Sequence, residues 1–239
     1  MNYSFYKITL KIVLATLFLT SVPSGSAFAN HQVDQIEASL SDAVGAAVES
    51  RWSDARSERD RAYAYFLLAV YKHDSGARER AEALYEKLNT PEGEAFLASI
   101  EMLKARDGAG GFFQLFKKKR MVQRGIEKLD ADVDAHPDDP KVRIVRAITY
   151  LGLPAFFGKF EAGLSDMEIL LHRLETGNIS VPETEPFFRD RVSLYYYAGR
   201  YFLRKDEKKK AKEMFSLAIE SAPDNPFVVA SKKRLASLS

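Results

Sequence analysis

The 239-residue chain contains no cysteine. Disulfide bridges, thiolate metal sites, a lipid-attachment cysteine and a cysteine nucleophile are therefore excluded. A protein without these devices has to be stabilised by a packed core, and a chain of this length is sufficient for one domain with a sizeable core.

Net charge is also lacking once the N-terminal segment is set aside. The chain has 35 Lys and Arg residues and 33 Asp and Glu residues. Residues 1–29 contain two lysines, Lys7 and Lys11, and no acid. Residues 30–239 therefore contain 33 basic and 33 acidic residues. A nucleic-acid-binding protein usually shows a strong basic excess, and we therefore expect no nucleic-acid partner.

A long apolar run is absent as well, even at the N-terminus. The segment from Ile12 to Val22 is apolar apart from Thr16, Thr20 and Ser21. This segment is too short to span a membrane comfortably. Ala27-Phe28-Ala29 has the small-residue form that a signal peptidase recognises, with cleavage expected before Asn30. We predict a signal peptide over residues 1–29, a periplasmic or secreted protein and no stable membrane span after cleavage. An uncleaved N-terminal anchor is the alternative.

From Asn30 onward, apolar residues recur at three- and four-residue spacing, and long stretches of strict alternation are absent. Both features predict an all-α fold. One apolar stripe that has this helical spacing consists of Ile36, Leu40, Val44 and Val48. The segment Tyr63–Tyr71 is almost wholly apolar and aromatic, which is typical of a buried helix, although a short buried strand has the same composition.

Capping residues followed by proline predict several helix starts, at Thr90-Pro91, Asp139-Pro140 and Asn225-Pro226, with a looser example at Thr184-Glu185-Pro186. Gly76 is expected to terminate a helix that covers Tyr63–His73.

A repeat pattern near the C-terminus is built from aromatic and small residues at fixed offsets: Tyr195, Ala198, Gly199, Phe202, Ala211, Phe215, Ala218 and Pro223. This pattern resembles the tetratricopeptide repeat, a pair of helices of about 34 residues. Its best copy covers residues 192–225. Gly199 and Ala211 are expected at the crossing of the two helices, where the backbones approach each other.

Partial copies of the same pattern lie near residues 62–90, 112–139 and 140–174. The last of them departs from the repeat by carrying Arg143 and Arg146 at usually apolar positions. The resemblance implies one domain, residues 30–239, of antiparallel helix pairs stacked as a tetratricopeptide-like right-handed superhelix. A final helix, Val228–Leu238, should cap the array with Lys232, Lys233 and Arg234 facing water.

Tetratricopeptide proteins bind peptides or proteins in a groove that is lined mostly by the first helix of each pair, and the resemblance implies the same use here. The implied groove positions are Tyr196, Arg200, Leu203, Arg204, Ile144 and Ile148. Tyr provides rigid contact area, and Arg can hold a carboxylate with two parallel hydrogen bonds. The alternative for Tyr196 is that it only packs against the next helix.

Three aromatic residues, Phe156, Phe157 and Phe160, lie in the turn after the first helix of the 140–174 repeat. Loops rarely hold three aromatic side chains unless they pack onto something. They are expected either to fill the protein's own core or to form a hydrophobic contact with a partner.

Sequence motifs for metal binding or catalysis are weak. Asp130, Asp132 and Asp134 have the first spacings of a calcium loop, but Ala135 and Lys141 stand where that loop needs glycine and glutamate. None of the four histidines lies three or four residues from another, and no nucleophile motif is present. We therefore predict no metal site, no cofactor and no enzymatic activity.

The sequence thus predicts an exported interaction scaffold or adaptor of the cell envelope, which binds a protein or peptide partner and has a face on which copies could self-associate. The first alternative is a periplasmic protein that binds a small ligand or a polyanion through the groove and the basic run Lys117–Arg120. An enzyme with a dispersed site is the least favoured alternative.

Overall fold

The computed structural model describes residues 27–52, 57–108, 112–179, 191–221 and 225–238, with the side chains of 27–34, 49–52, 112 and 113 outside that description. Within these ranges the chain forms helices and no strand, so the all-α prediction is confirmed. The described residues form ten α-helices: α1 Ala27–Trp52, α2 Glu58–Tyr71, α3 Ser75–Leu88, α4 Pro91–Asp107, α5 Phe112–Ala135, α6 Pro140–Gly152, α7 Phe160–Glu175, α8 Arg191–Arg204, α9 Lys208–Ser221 and α10 Pro226–Ser237. A 3-10 helix, Ala155–Phe157, lies between α6 and α7.

Most of the predicted signal peptide lies outside the described residues. Only its last three residues are described, and they form the first turn of α1. In the part of the chain that the structure covers, no helix has the length and apolar character of a membrane span. The helix start at Thr184–Pro186 also lies outside the described ranges.

Three predicted helix starts are confirmed by their capping hydrogen bonds. The side-chain oxygen of Thr90 accepts a hydrogen bond from the Gly93 amide at 3.1 Å. Asp139 accepts from the Lys141 amide at 2.8 Å, and Asn225 accepts from the Phe227 amide at 2.9 Å. Each cap satisfies an amide that the helix itself leaves unpaired, which typically stabilises the helix by about 1 kcal/mol.

The predicted stop at Gly76 is wrong. Helix α2 ends at Tyr71, and Gly76 lies in the first turn of α3. The chain reverses at His73, whose φ of 56° is in the left-handed region. The carboxylate of Asp74 then accepts from the Ala77 amide at 2.9 Å and starts α3. The turn that was expected at Gly76 is therefore formed by His73 together with the N-cap Asp74.

Consecutive helices pack as antiparallel pairs, α2 with α3, α4 with α5, α6 with α7 and α8 with α9. The best predicted repeat corresponds to α8 and α9. A Cβ at Gly199 would lie 2.6 Å from the Phe215 ring, so this residue has to be small, as expected at a helix crossing. The segment 112–139 contains only α5, which pairs with the preceding α4.

The first helices of the four pairs also contact one another in series. The guanidinium of Arg106 in α4 donates to the carbonyls of Ala69 and Val70 in α2 at 2.8 and 3.0 Å. The hydroxyls of Ser99 in α4 and Thr149 in α6 are 2.8 Å apart, and α6 in turn contacts α8. Through these contacts the helix pairs share one apolar core.

Among the described helices, α1 belongs to none of the four pairs. It packs against α2 and α10, the helices that begin and end the array. Its apolar stripe is buried, with exposed fractions of 6% or less for Ile36, Leu40, Val44 and Val48. The N-terminal helix therefore completes the core at the place where the two ends of the array meet.

Candidate binding site

Tyr196 and Arg200 of α8 lie inside the molecule, under α1. Tyr196 is fully buried, and its ring centre lies 5.2 Å from that of Phe227 in α10 and 6.0 Å from that of Phe215 in α9. The side chain of Arg200 is only 19% exposed. The packing role that was the alternative for Tyr196 is therefore observed, and it is combined with a polar contact.

That polar contact is with Glu37 of α1, which is 6% exposed. The Tyr196 hydroxyl donates to the Glu37 carboxylate at 3.2 Å, and an Arg200 nitrogen lies 3.6 Å from its other oxygen. The guanidinium of Arg234 in α10 donates to the same carboxylate. We call Tyr196, Arg200 and Arg234 the carboxylate clamp.

The charges of the clamp fix the protonation state of Glu37. Burial by itself raises the pKa of this carboxyl group, but the neighbouring charges of Arg200 and Arg234 outweigh burial and lower the pKa below its usual value. Burial, together with the Glu37 charge, raises the pKa of Tyr196 to about 12. At neutral pH the clamp therefore holds an ionised carboxylate, and the tyrosine remains a hydrogen-bond donor.

Two aromatic rings lie close to the Arg200 guanidinium. Its guanidinium carbon lies 5.9 Å from the ring centre of Tyr196 and 5.8 Å from that of Tyr197, which is within cation–π range. The hydroxyl of Tyr197 is hydrogen-bonded to that of Tyr71 in α2. Burial raises the pKa of both tyrosines, so both stay neutral. The first and last pairs of the array thus meet beside the clamp.

The prediction that Arg234 faces water is wrong. Lys232 and Lys233 of the C-terminal helix are exposed, as expected, but Arg234 is only 4% exposed. Its position on α10 turns it inward, where Glu37 compensates the charge that would otherwise be too costly to bury.

Helix α1 is held at its edges by polar contacts as well. Ser41 donates to the Tyr71 carbonyl, and the Lys233 ammonium donates to the Ser39 hydroxyl at 2.7 Å. Lys72 pairs with Asp42 at 2.8 Å, although Asp42 is 82% exposed and contributes little. Apolar anchors at intervals of four residues with a polar rim are the usual way in which a groove binds an amphipathic helix.

The other predicted groove residues do not reach the clamp. Arg204 donates to the Leu151 carbonyl at 3.1 Å, and its guanidinium lies over the Phe160 ring at 4.7 Å. Leu203 is half-buried, and Ile144 and Ile148 of α6 are buried in the core at 3% and 7% exposure. Whether any of the six predicted positions binds a partner stays a prediction.

The three phenylalanines of the aromatic turn divide between the two expected roles. Phe157 and Phe160 pack against the core, and the Phe160 ring centre lies 5.3 Å from that of Tyr201. Phe156 is 70% exposed and lies beside Phe157, with 4.4 Å between ring centres. Core filling therefore accounts for two of the rings, and only Phe156 is exposed for an external contact.

The two arginines that depart from the repeat pattern have a structural partner. Arg143 and Arg146 of α6 both donate to Asp166 of α7 at 2.6 Å, and Asp166 is 1% exposed. Arg146 and Lys159 also pair with Asp130 of α5. Asp130 is thus engaged by cations on the side of a helix, and the described residues contain no group of three acid or histidine side chains that could hold a metal ion.

Sequence reasoning did not find Glu37, Asp166 or Arg234 as buried charges. Glu37 stands directly after an apolar stripe residue, which is the only local signal of its position. Its partners lie 159 and 197 residues away along the chain. No spacing rule connects residues that far apart.

Comparisons with protein-family models, with curated proteins and with solved structures give no match to this chain. A proposal for the function of this protein therefore rests on the geometry of the clamp and of helix α1.

Proposed function

We propose that this protein is a non-catalytic interaction protein of the cell envelope, a scaffold or adaptor that binds an amphipathic helix of a partner protein. The observation that supports this proposal is the contact between helix α1 and two of the predicted groove residues. Residues that the tetratricopeptide resemblance assigns to ligand binding, Tyr196 and Arg200, hold a helix through a carboxylate. Helix α1 is then an internal ligand that occupies the site in cis.

The contacts of α1 specify what a partner has to offer. The partner helix carries aliphatic residues at intervals of four, as do Ile36, Leu40, Val44 and Val48, and a glutamate directly after the first of them. The aliphatic residues fill the apolar groove, and the glutamate enters the clamp. A basic or wholly apolar helix would leave two buried arginines without a counter-charge, which is costly.

The proposed export is compatible with this mode of binding. Cleavage before Asn30 would leave Ile36, Glu37 and the rest of the α1 stripe in the mature chain. The internal ligand would therefore be present in the exported protein.

A tethered helix is a strong competitor. A short linker gives α1 an effective concentration of roughly 1 mM at its own groove. A partner helix of equal intrinsic affinity at about 0.1 mM would then occupy only about one chain in ten. Weakening α1 by about 3 kcal/mol would favour the partner roughly 150-fold and would reverse the occupancy.

Affinity capture from a native envelope extract tests this function. The baits are the wild-type chain, Glu37→Gln, Glu37→Gln combined with Arg234→Met, and Asp42→Asn as a matched control on the same helix. We expect Glu37→Gln to retain a protein that the double variant loses, whereas Asp42→Asn behaves like wild type.

The captured protein should be released by a peptide of residues 30–52, but not by the same peptide carrying Gln at position 37. Capture of the same proteins by all four baits, or capture that the peptide does not compete, would refute the proposed groove.

A further inference from the structure

The N-terminal end of α5 presents an exposed apolar pair, Leu115 and Phe116, with exposed fractions of 42% and 63%. Only two other large apolar side chains among the described residues are comparably exposed, Phe156 and Val229. Two adjacent residues of this kind form a local apolar surface, which differs from the scattered single exposures that are normal in a folded protein.

This end of α5 projects past the helix with which it is paired. Gly125 lies between Ala98 and Met102 of α4, since a Cβ there would be 2.8 Å from the Ala98 carbonyl oxygen and 2.7 Å from Met102 Cγ. Helix α4 ends at Asp107, about seven residues beyond that level, so antiparallel counting places its end opposite about residue 118. The contact of the Lys118 ammonium with the Gly108 carbonyl, at 2.7 Å, agrees with this register. Residues 112–117 of α5 therefore extend beyond α4 by about 9 Å, at 1.5 Å per residue.

A ring of cations follows directly behind the apolar pair. Lys117, Lys119 and Arg120 are exposed, and Lys118 is half-buried. Successive residues of a helix are about 100° apart, so these four surround the helix instead of lying on one face. None of them forms an ion pair with a carboxylate in the part of the chain that the structure describes. The remainder of the exported chain has no basic excess, so this collar is a local feature.

We propose that the start of α5 docks end-on onto an anionic lipid bilayer, with Leu115 and Phe116 in the interfacial region and Lys117–Arg120 against the headgroup phosphates. The apolar tip is about as long as the depth of 5–10 Å to which the apolar face of an interfacial helix is buried in a bilayer. A collar just behind the tip stands at the level of the headgroups. A soluble polyanion or a nucleic acid would use the cations but would leave the two apolar residues in water, so the bilayer is the occupant that fits both.

Co-sedimentation with vesicles tests this surface. The chain is used as the cell delivers it, with its N-terminus identified by mass spectrometry, so that any retained leader is present equally in every variant. The vesicles are phosphatidylcholine alone and a 7:3 mixture with phosphatidylglycerol, at about 0.1 M salt, where charge attraction is only partly screened. Leu115→Ser/Phe116→Ser removes the tip, and Lys117→Gln/Lys119→Gln reduces the collar. Lys209→Gln/Lys212→Gln removes the same charge from exposed positions of α9.

The expected result is binding that is stronger on the anionic vesicles. Each basic residue near such a surface strengthens binding about fivefold, so the collar variant should lose about 30-fold. The tip variant should lose at least about tenfold, and the α9 variant should match wild type. All changes are at exposed positions, so melting temperatures should agree within about 2 °C.

Equal binding to both vesicle types, or tip-variant binding equal to wild type, would overturn the proposal. Binding of inorganic polyphosphate that is unaffected in the tip variant, without a preference for anionic vesicles, would assign the collar to soluble polyanions instead. Glu37→Gln should bind vesicles like wild type, which separates this surface from the proposed helix groove.

Discussion

Replacing Glu37 by Gln should remove the charge that compensates two arginines in the interior. Arg234 is 4% exposed, and the side chain of Arg200 is 19% exposed, so neither can recover its full hydration in the folded state. Removing one partner of a buried ion pair typically costs 3–5 kcal/mol. Gln keeps the shape and some hydrogen bonding, and we therefore expect a loss of about 3 kcal/mol in the free energy of unfolding. For a domain of this size the melting temperature should fall by about 6–12 °C.

The effect should depend on pH in a definite direction. The folded-state pKa of Glu37 is lowered from its ordinary value of 4.5. A lowered pKa means that the carboxylate stabilises the fold above its unfolded-state pKa, and that this contribution is lost as the pH falls through the folded-state pKa. The difference between wild type and Glu37→Gln should thus be full at pH 7 and should shrink in acid.

Urea unfolding followed by circular dichroism measures both effects. Asp42→Asn is the control, because its carboxylate is 82% exposed and should contribute less than about 0.5 kcal/mol. Combining Glu37→Gln with Arg234→Met should cost less than the sum of the two single changes, since each then removes a charge that the other has left unpaired. A Glu37→Gln loss below about 1 kcal/mol, or one no greater than that of Asp42→Asn, would refute the account of the clamp.

Two further predictions concern other elements. Gly199→Ala should lower the free energy of unfolding in urea by about 1–2 kcal/mol. A Cβ at this position would lie 2.6 Å from the Phe215 ring, and this clash exceeds the gain in helix propensity. A variant more stable than wild type would contradict the close crossing of α8 and α9 at this residue. Burial raises the pKa of Asp132 to about 6, helped by the carboxylates of Glu94 and Asp139 and opposed by His136. Because the pKa is raised, ionisation of Asp132 destabilises the fold as the pH rises through about 6, by about 1 kcal/mol after allowing for partial exposure. Asp132→Asn should therefore melt about 2–4 °C above wild type at pH 7.5 and no higher than wild type at pH 4. An equal difference in melting temperature at both pH values would contradict this prediction.

Local signals in the sequence were sufficient for much of the fold. Thr90, Asp139 and Asn225 were recognisable as N-caps because a cap and a proline satisfy local constraints of a single helix turn. Gly199 was recognisable because close helix crossings require a small residue at a fixed offset within one repeat. The turn at His73 was missed because a left-handed residue need not be glycine.

The site was less accessible to sequence reasoning. The repeat pattern identifies Tyr196 and Arg200 as groove positions, but it does not indicate which residues lie against them. The clamp depends on Glu37, almost the whole length of the chain away from Arg234, and on the return of α1 to the end of the array. The sequence around Arg234 predicts an exposed position, because its neighbours Lys232 and Lys233 are typical of a solvated helix face.

The most direct test of the helix groove is a fluorescence-anisotropy titration of a labelled peptide of residues 30–52 against the intact chain. At about 0.1 mM chain, we predict that about nine-tenths of a trace amount of peptide binds Glu37→Gln, and about a tenth binds wild type, which keeps its own α1 in place. A peptide carrying Gln at position 37 should bind neither chain appreciably. Equal and weak binding of the peptide to wild type and Glu37→Gln would show that α1 is a permanent part of the core, and would contradict a groove that exchanges helices.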